Sequence, residues 1–280
     1  MKAYLTIILY SFLAACSSIL VKFLDGIDIF VITFFVLFFG AVTSYIYIKI
    51  KKEKIKIQKK RLLLIFGASQ LGTWLFLYWS LLINPISVSM FLFYTAPVFV
   101  ILLSPFLLKE KMQKITIILI AITILGIACI FNPINTLEYE LSEIGMIFSI
   151  LAAISYSINI ILARKLKDNF NPEALSFFGH AIGSIIIVPV FLLFSNFDNI
   201  IITNLPIMCI MGILSGIAYL LIYYALRTII AQKGSILTMS ELVFATILGI
   251  ILFNEMPTPL IILGGVLIII AGSLTIYIKD

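Results

Sequence analysis

The chain has 280 residues, of which 62% are apolar and 11% charged, and its net charge is +6. Soluble globular proteins are closer to half apolar and a quarter charged, so this composition excludes an ordinary soluble enzyme, a disordered chain, collagen and a coiled coil. Apolar residues extend over the whole length rather than forming a single anchor. These properties predict an all-α integral membrane protein that crosses the bilayer many times.

Ten apolar stretches follow one another along the chain, separated by Gly, Pro, Asn or charged residues. A helix needs about 20 residues to cross about 30 Å of hydrocarbon, so a chain of this length with short loops accommodates about ten transmembrane helices. The first stretch contains Leu13-Ala14-Ala15-Cys16, which resembles a lipoprotein signal, but its continuation to Leu24 favours a first transmembrane helix. The predicted spans are 3–24, 28–48, 61–83, 86–108, 113–132, 142–164, 172–194, 204–227, 234–254 and 258–278.

The distribution of charge predicts the orientation of these spans. If both termini are cytoplasmic, the inner loops and termini hold 18 of the 19 basic residues, including Arg227 and Lys233, and Lys22 is the remaining one. Cytoplasmic loops of membrane proteins carry an excess of Lys and Arg. We therefore expect a multi-pass protein of the cell membrane with both termini in the cytoplasm. The basic excess then reflects topology and contact with anionic lipid, and it does not indicate nucleic-acid binding.

The two halves of the chain resemble each other after a shift of 143 to 145 residues. Each half has five spans. Because five is an odd number, the second half must cross the membrane in the opposite orientation to the first, an arrangement common in secondary transporters. The loop between spans two and three has eight basic residues, and its counterpart 196–199 has none, as inversion requires. We therefore predict two inverted five-helix repeats, 3–132 and 142–278. The matches are Phe34-Phe35 and Gly40 with Phe177-Phe178 and Gly183, Gly67 with Gly212, Tyr78-Trp79 with Tyr223-Tyr224, Glu110 with Glu255, and Gly126 with Gly272.

The motif that closes each half resembles that of the EamA family, in the drug/metabolite transporter superfamily. In the second half it runs from Glu241-Leu242-Val243-Phe244 to Phe253-Asn254-Glu255-Met256 and on to Ala271-Gly272, and in the first half from Ala96-Pro97-Val98-Phe99 to Leu107-Leu108-Lys109-Glu110. Many members have Pro after the Glu of span nine, where this chain has Leu242. The resemblance implies ten helices in two inverted repeats. Members of the family move amino acids, nucleosides, sugars, polyamines or drugs, so the substrate is not inherited with the fold.

Three ionisable residues are candidates for function because charges within a membrane are costly. Glu241 alone lies well inside a span, and we interpret it as a carboxylate that binds a proton or a substrate amine; the alternative is a structural carboxylate that caps a broken helix. His180, the single histidine, either transfers protons or is a hydrogen-bonded packing residue. Lys22 either reaches to the interface or contacts an anionic group at the outer mouth.

Polar and aromatic residues of the spans supply further candidates. Trp74, Tyr94, Tyr156 and Tyr219 lie deep within their spans and are predicted to line a cavity, with Asn159 as a polar partner. Such a wall suits a zwitterion or a planar organic molecule rather than a bare ion. Aromatic residues near span ends usually form interfacial belts, which is our interpretation of Trp79, Tyr223 and Tyr224.

Pro97 predicts a break in span four, because it removes the amide donor to the carbonyl of residue 93. The matching residue of span nine is Leu242, so we expect a bent span four and a straighter span nine.

We therefore predict a secondary active transporter that exports small organic metabolites such as amino acids, using alternating access between its inverted repeats. The alternative is a sugar, nucleoside or drug permease of the same superfamily. An intramembrane enzyme would need HExxH, two aspartates, or Ser with His, and a channel would need a pore-lining repeat or a charged ring; the sequence has none of these patterns. We expect no enzymatic activity, no cofactor and no metal. The expected partners are a small-molecule substrate with proton coupling and the lipid bilayer, for a monomer or homodimer.

Overall fold

The computed structural model describes residues 2–24, 26–53, 57–84, 86–109, 114–130, 142–194, 199–253 and 259–274. Regular structure in these segments is helical throughout. The helices are α1 (Lys2–Leu20) with a 3₁₀ extension (Val21–Leu24), α2 (Ile29–Ile50), α3 (Lys60–Ile83), α4 (Ile86–Phe93), α5 (Ala96–Leu107), α6 (Lys114–Ile130), α7 (Glu143–Leu166), α8 (Pro172–Phe194), α9 (Asn199–Ala225), α10 (Ala231–Thr238), α11 (Ser240–Phe253) and α12 (Pro259–Leu274).

Helices occupy every one of the predicted ranges. Among the described residues, seven helical segments are long and apolar enough to cross a membrane, so the chain is a multi-pass membrane protein. Shorter apolar helices occupy Ala96–Leu107, Lys114–Gly126 and Ile262–Ala271. The seven segments are Lys2–Leu24, Ile29–Ile50, Lys60–Ile83, Glu143–Leu166, Pro172–Leu193, Ile202–Ala225 and Ala231–Leu252.

Side chains satisfy backbone groups at two of the helix starts. The Asp28 carboxylate accepts a hydrogen bond from the Phe30 amide at 2.8 Å, and the Ser142 hydroxyl accepts one from Gly145 at 3.2 Å. The first amides of a helix have no partner within it, so such caps fix where α2 and α7 begin.

Helix packing follows the same plan in both halves. With α1–α6 matched in order to α7–α12, the contact of α1 with α9 corresponds to that of α7 with α3, and α2 with α9 corresponds to α8 with α3. The contacts of α1 with α10 and α11 likewise correspond to those of α7 with α4 and α5. Helices α2 and α6 each pack against their own counterparts, α8 and α12. The centre of the bundle is therefore built from α1, α3, α7 and α9.

Span four and span nine are both interrupted. Helix α4 ends at Phe93 and α5 begins at Ala96, while α10 ends at Thr238 and α11 begins at Ser240. The break in span four agrees with our prediction. The interruption of span nine is shorter, a single residue at Met239, and α10 with α11 still makes one membrane-length segment, Ala231–Leu252.

A side-chain hydroxyl group bonds back to a backbone carbonyl at both interruptions. The Thr95 hydroxyl donates to the Leu92 carbonyl at 2.7 Å, and the Ser240 hydroxyl donates to the Leu237 carbonyl at 2.9 Å. Such bonds from a side chain to the carbonyl three residues earlier compete with the helical ladder. Pro97 lies in the first turn of α5, where its missing amide costs nothing.

Polar contacts join the connections at one end of the bundle, which we call the basic end and define by Lys51, Arg164 and Arg227. The Lys51 ammonium is 2.6 Å from the Glu173 carboxylate, and Arg164 donates to the Leu226 carbonyl at 2.6 Å. Lys167 donates to the carbonyl of Arg227 at 3.2 Å. These contacts tie the α2–α3, α7–α8 and α9–α10 connections together.

One basic residue lies elsewhere than the sequence predicted. Lys233 was expected in a loop, but it belongs to α10, is 1% exposed, and has its ammonium 5.2 Å from the centre of the Tyr4 ring. The prediction was wrong because the helix begins at Ala231, before the apolar run that defined the span.

Candidate functional site

Glu241 lies in the first turn of α11, directly after the break that separates this helix from α10. Its side chain is 3% exposed, and the Ser18 hydroxyl of α1 donates to its Oε1 atom at 3.4 Å. Among the described residues Glu241 forms no ion pair. A carboxylate is favoured near a helix N-terminus, but an unpaired buried charge is costly. This position therefore suits a group that takes up a proton or pairs with a cation from outside the protein.

Five tyrosines lie near Glu241: Tyr10, Tyr78, Tyr94, Tyr156 and Tyr219. The Tyr10 and Tyr156 hydroxyls are 3.1 Å apart, and the Tyr78 hydroxyl is 3.2 Å from that of Ser17. The Tyr94 hydroxyl faces the carboxylate, but its geometry falls short of a hydrogen bond. The tyrosines come from α1, α3, α7 and α9 and from the α4–α5 break, so both halves of the chain build this site.

Helix α3 presents one continuous polar face to this site. Gln70, Trp74 and Tyr78 are spaced four residues apart, which places them on the same side of a helix. The Trp74 ring stacks on Tyr78 with centroids 4.9 Å apart and meets the edge of Tyr219 at 5.8 Å. Tyr219 in turn contacts Tyr10 at 6.0 Å. The aromatic contacts therefore run from Trp74 through Tyr219 to Tyr10.

A second polar cluster lies one helical turn from Trp74. The Asn159 amide donates to Gln70 Oε1 at 3.0 Å, and the Tyr223 hydroxyl lies 2.7 Å from Asn159 Oδ1 and 3.0 Å from Gln70 Oε1. Tyr223 is 1% exposed. Its assignment to an interfacial belt was therefore wrong, because position near a span end does not reveal which side of the helix faces the protein. Tyr224, the next residue, is 52% exposed.

His180 is fully buried beside this site, where α2, α8 and α9 meet. Its Nδ1 atom is 2.8 Å from the Ser176 carbonyl and its Nε2 atom is 2.8 Å from the Ser215 hydroxyl. A carbonyl only accepts, so Nδ1 carries the proton and Nε2 accepts from Ser215. The ring also meets Tyr219 edge-on at 5.4 Å. Both nitrogens are thus occupied within the protein.

The seven predicted site residues are each at most 3% exposed. Six of them, Glu241, Tyr94, Trp74, Tyr156, Asn159 and Tyr219, lie in the two connected clusters, and His180 borders them through Tyr219.

Tyr10, Tyr78 and Gln70 also belong to these clusters, although they are not among the predicted site residues. A signal was available for two of these residues, because Gln70, Trp74 and Tyr78 share the spacing of one helix face.

The chain is similar to several bacterial transporters. It is 29% identical over 198 residues to an uncharacterized transporter of Clostridium kluyveri, an alignment that covers 66% of this chain and 61% of that protein. It is 30% identical over 206 residues to the uncharacterized transporter YxxF of Bacillus subtilis, covering 72% and 65%. It is 24% identical over 188 residues to the pseudopaline exporter CntI of Pseudomonas aeruginosa, covering 67% and 64%. The chain thus covers just under two thirds of the length of these relatives.

The fold has a counterpart among solved structures. One crystal structure matches with a TM-score of 0.79 at 15% sequence identity, covering 99% of this chain and 98% of the other. The model of the EamA-like transporter family matches residues 1–132 and again residues 143–277, nearly the whole length. The chain therefore belongs to the EamA-like transporter family of the drug/metabolite transporter superfamily.

Proposed function

We propose that this protein is a secondary active transporter that exports small organic metabolites such as amino acids. Family membership makes it a membrane transporter, and one relative is named an exporter. The observation that carries the substrate class is the buried Glu241 carboxylate, which has no ion-pair partner among the described residues and lies near five tyrosines. A carboxylate in an aromatic site suits a substrate that brings its own ammonium group.

The proposed architecture is ten transmembrane helices in two inverted repeats, 3–132 and 142–278. Support comes from the matched packing of the two halves and from breaks at matching positions in spans four and nine. The family model also matches the chain twice. Two halves of opposite orientation can exchange conformations, which opens a site between them to each side of the membrane in turn.

The proposed orientation places both termini and the basic end in the cytoplasm. Its support is the concentration of basic residues in the connections on that side. Contacts of Lys51, Arg164 and Lys167 across these connections hold the basic end together.

Glu241 has the central role in the proposed cycle. It either binds the substrate ammonium directly or takes a proton from one side and releases it to the other. The break between α10 and α11 places Glu241 in the first turn of α11, and other transporters bind substrates at discontinuous helices of this kind. Both roles require the charge, whereas packing requires only the shape of the side chain.

The test compares Glu241→Gln with the wild type in proteoliposomes that contain an equimolar mixture of the twenty amino acids. Efflux is followed by mass spectrometry with and without a pH gradient, and separate vesicles carry sugars or nucleosides. We expect Glu241→Gln to fold but to lose net transport, or to keep exchange that no longer responds to pH. Glu143→Gln, an exposed carboxyl in the first turn of α7, is the matched control.

Wild-type transport and pH response in Glu241→Gln would reduce this residue to a structural role. Efflux of sugars or nucleosides in place of amino acids would show that the protein transports one of those classes instead.

A further inference from the structure

Two buried amide-type donors on α3 have no hydrogen-bond partner among the residues that the structure describes. They are the Gln70 Nε2 group and the Trp74 indole Nε1–H. Gln70 is 0% exposed and Trp74 is 3% exposed. Most buried polar groups in proteins are paired, so each exception calls for an explanation. Two such donors one turn apart on the same helix face mark a place where an acceptor group from outside the protein would be bound.

The orientation of the Gln70 amide follows from its neighbours. The Asn159 Nδ2 group lies 3.4 Å from the Phe66 carbonyl, which only accepts, so the Asn159 oxygen points toward Tyr223. The same Nδ2 group lies 3.0 Å from one terminal atom of Gln70, which must therefore be the oxygen Oε1. The remaining terminal atom is the nitrogen, and it is the one without a partner. Gln70 is thus held by its oxygen and offers its N–H groups.

Trp74 is held in place by its ring rather than by its N–H. Stacking on Tyr78 and an edge contact with Tyr219 fix the indole, whose nitrogen is a donor only. The Tyr219 hydroxyl lies beside the Gln70 amide, but the geometry falls short of a hydrogen bond. Tyr219 therefore borders both donors, and it lies near Glu241 as well.

We propose that Gln70 and Trp74 bind a carboxylate of the transported molecule, so that the substrate is a zwitterion whose ammonium group is bound by Glu241. This inference rests on the proposed function of Glu241 and adds the second half of the site. A carboxylate accepts several hydrogen bonds at once and matches fixed N–H donors. A zwitterion has no net charge, and the two N–H donors are neutral. The membrane interior therefore has to accommodate only the charge of Glu241. Gln70 and Trp74 are thus specificity-determining residues, which select amino acids over the corresponding amines.

The test measures ligand binding to the purified protein through the rise in its unfolding temperature. The probes are an equimolar mixture of the twenty amino acids and a matched mixture of their decarboxylated amines, followed by the best single compound and its amine. The key variant is Trp74→Phe, which keeps a ring and removes the N–H group. Trp79→Phe is the matched control, because Trp79 lies on the same helix but stacks on Phe148 at 4.5 Å instead.

We expect the amino acids to stabilise the wild type and the amines to do so only weakly. Trp74→Phe should bind the best amino acid about tenfold more weakly, as the loss of one hydrogen bond to a charged group requires. Its affinity for the amine should not change. This change in selectivity separates a bond to the carboxylate from a general loss of packing, which would weaken both ligands equally. Trp79→Phe should keep wild-type affinity for both.

A wild type that binds amines as tightly as amino acids, or a Trp74→Phe variant with unchanged selectivity, would overturn the inference. Binding of neither mixture would overturn it as well.

The proposed function is judged by a separate result, Glu241-dependent efflux from proteoliposomes. Efflux of amines that depends on Glu241 would leave the transporter role standing while removing the carboxylate site. If amino acids bind but no efflux occurs, the carboxylate site would stand and the transporter role would be removed.

Discussion

The backbones of Gly40 on α2 and Gly212 on α9 meet so closely that a Cβ atom on Gly212 would lie 3.1 Å from the Gly40 nitrogen. Gly183 on α8 makes the same kind of contact with Gly67 on α3, where an added Cβ would lie 3.3 Å from the Gly67 oxygen. These are the glycines that match one another between the two halves of the sequence. Small residues allow helices in a membrane to approach closely. The glycines that correspond between the two halves therefore lie where α2 packs on α9 and where α8 packs on α3, two contacts that also correspond.

Gly212→Ala should destabilise the protein. The new methyl group would also meet the Val36 carbonyl oxygen at 2.8 Å, and backbone atoms cannot rotate away as a side chain does. Overpacking of this kind costs about 1–3 kcal/mol, so thermal unfolding of the purified protein should shift to a lower temperature. Ile213→Ala, on a partly exposed neighbouring position, is the control. An unfolding temperature equal to that of the wild type would show that α2 and α9 can separate at no cost.

Ser215→Ala should lower stability and leave the pH dependence of transport unchanged. Removal of the hydroxyl leaves His180 Nε2 buried without a donor, which costs about 1–3 kcal/mol. Thermal unfolding and proteoliposome efflux across a pH series measure the two effects, with the exposed Ser273→Ala as control. A shifted pH profile at normal stability would instead place His180 in the path of the proton.

The ion pair between Lys51 and Glu173 at the basic end should contribute little to stability, and only below the alkaline pH range. The hydrogen bond to the Glu173 carboxylate raises the pKa of the Lys51 ammonium. A group whose pKa is raised in the folded state stabilises the protein fully at pH values below the ordinary lysine pKa of about 10.4. This stabilisation is lost as the pH rises through the folded-state pKa. Because the Lys51 side chain is 44% exposed, we expect Lys51→Gln to cost less than about 1 kcal/mol.

Unfolding of the wild type and of Lys51→Gln, compared across pH, measures this contribution. The difference should stay constant between about pH 6 and 9 and shrink only above the ordinary lysine pKa. Lys49→Gln, whose ammonium lies over the Tyr45 ring and outside the ion pair, should show no such trend. A Lys51→Gln difference that grows as the pH rises would contradict the assigned sign.

The orientation of the chain is open to cysteine labelling. With Cys16, Cys129 and Cys209 replaced, Thr136→Cys should react with a membrane-impermeant reagent in intact cells, because the segment 133–141 is predicted to be external; this segment lies outside the described residues. Asn169→Cys, in the α7–α8 connection, should react only after the cells are opened. The reverse pattern at the two positions would invert the topology.

The sequence by itself determined the membrane class, the helical ranges and the family, and it singled out Glu241 as a candidate. Hydropathy and charge are local properties, and in a bilayer each apolar run must satisfy its own backbone groups by forming a helix. The helices therefore begin and end within a few residues of the predicted limits, as α3 and α8 show. Glu241 could be singled out because a carboxylate in an apolar run is conspicuous whatever its neighbours are.

Only the tertiary structure decided which side of each helix faces the protein. The burial of Tyr223 and Lys233 and the bond of His180 to Ser215 depend on helices far apart in the sequence. The same holds for the donors of Gln70 and Trp74, which have no partner in the part of the chain that the structure describes. The break before Glu241 likewise needed the structure, because Ser240 can bond either to its own helix or to water. Apolar lipid does not distinguish the sides of an apolar helix as water does, so hydropathy fixes where a span lies but not what it contacts.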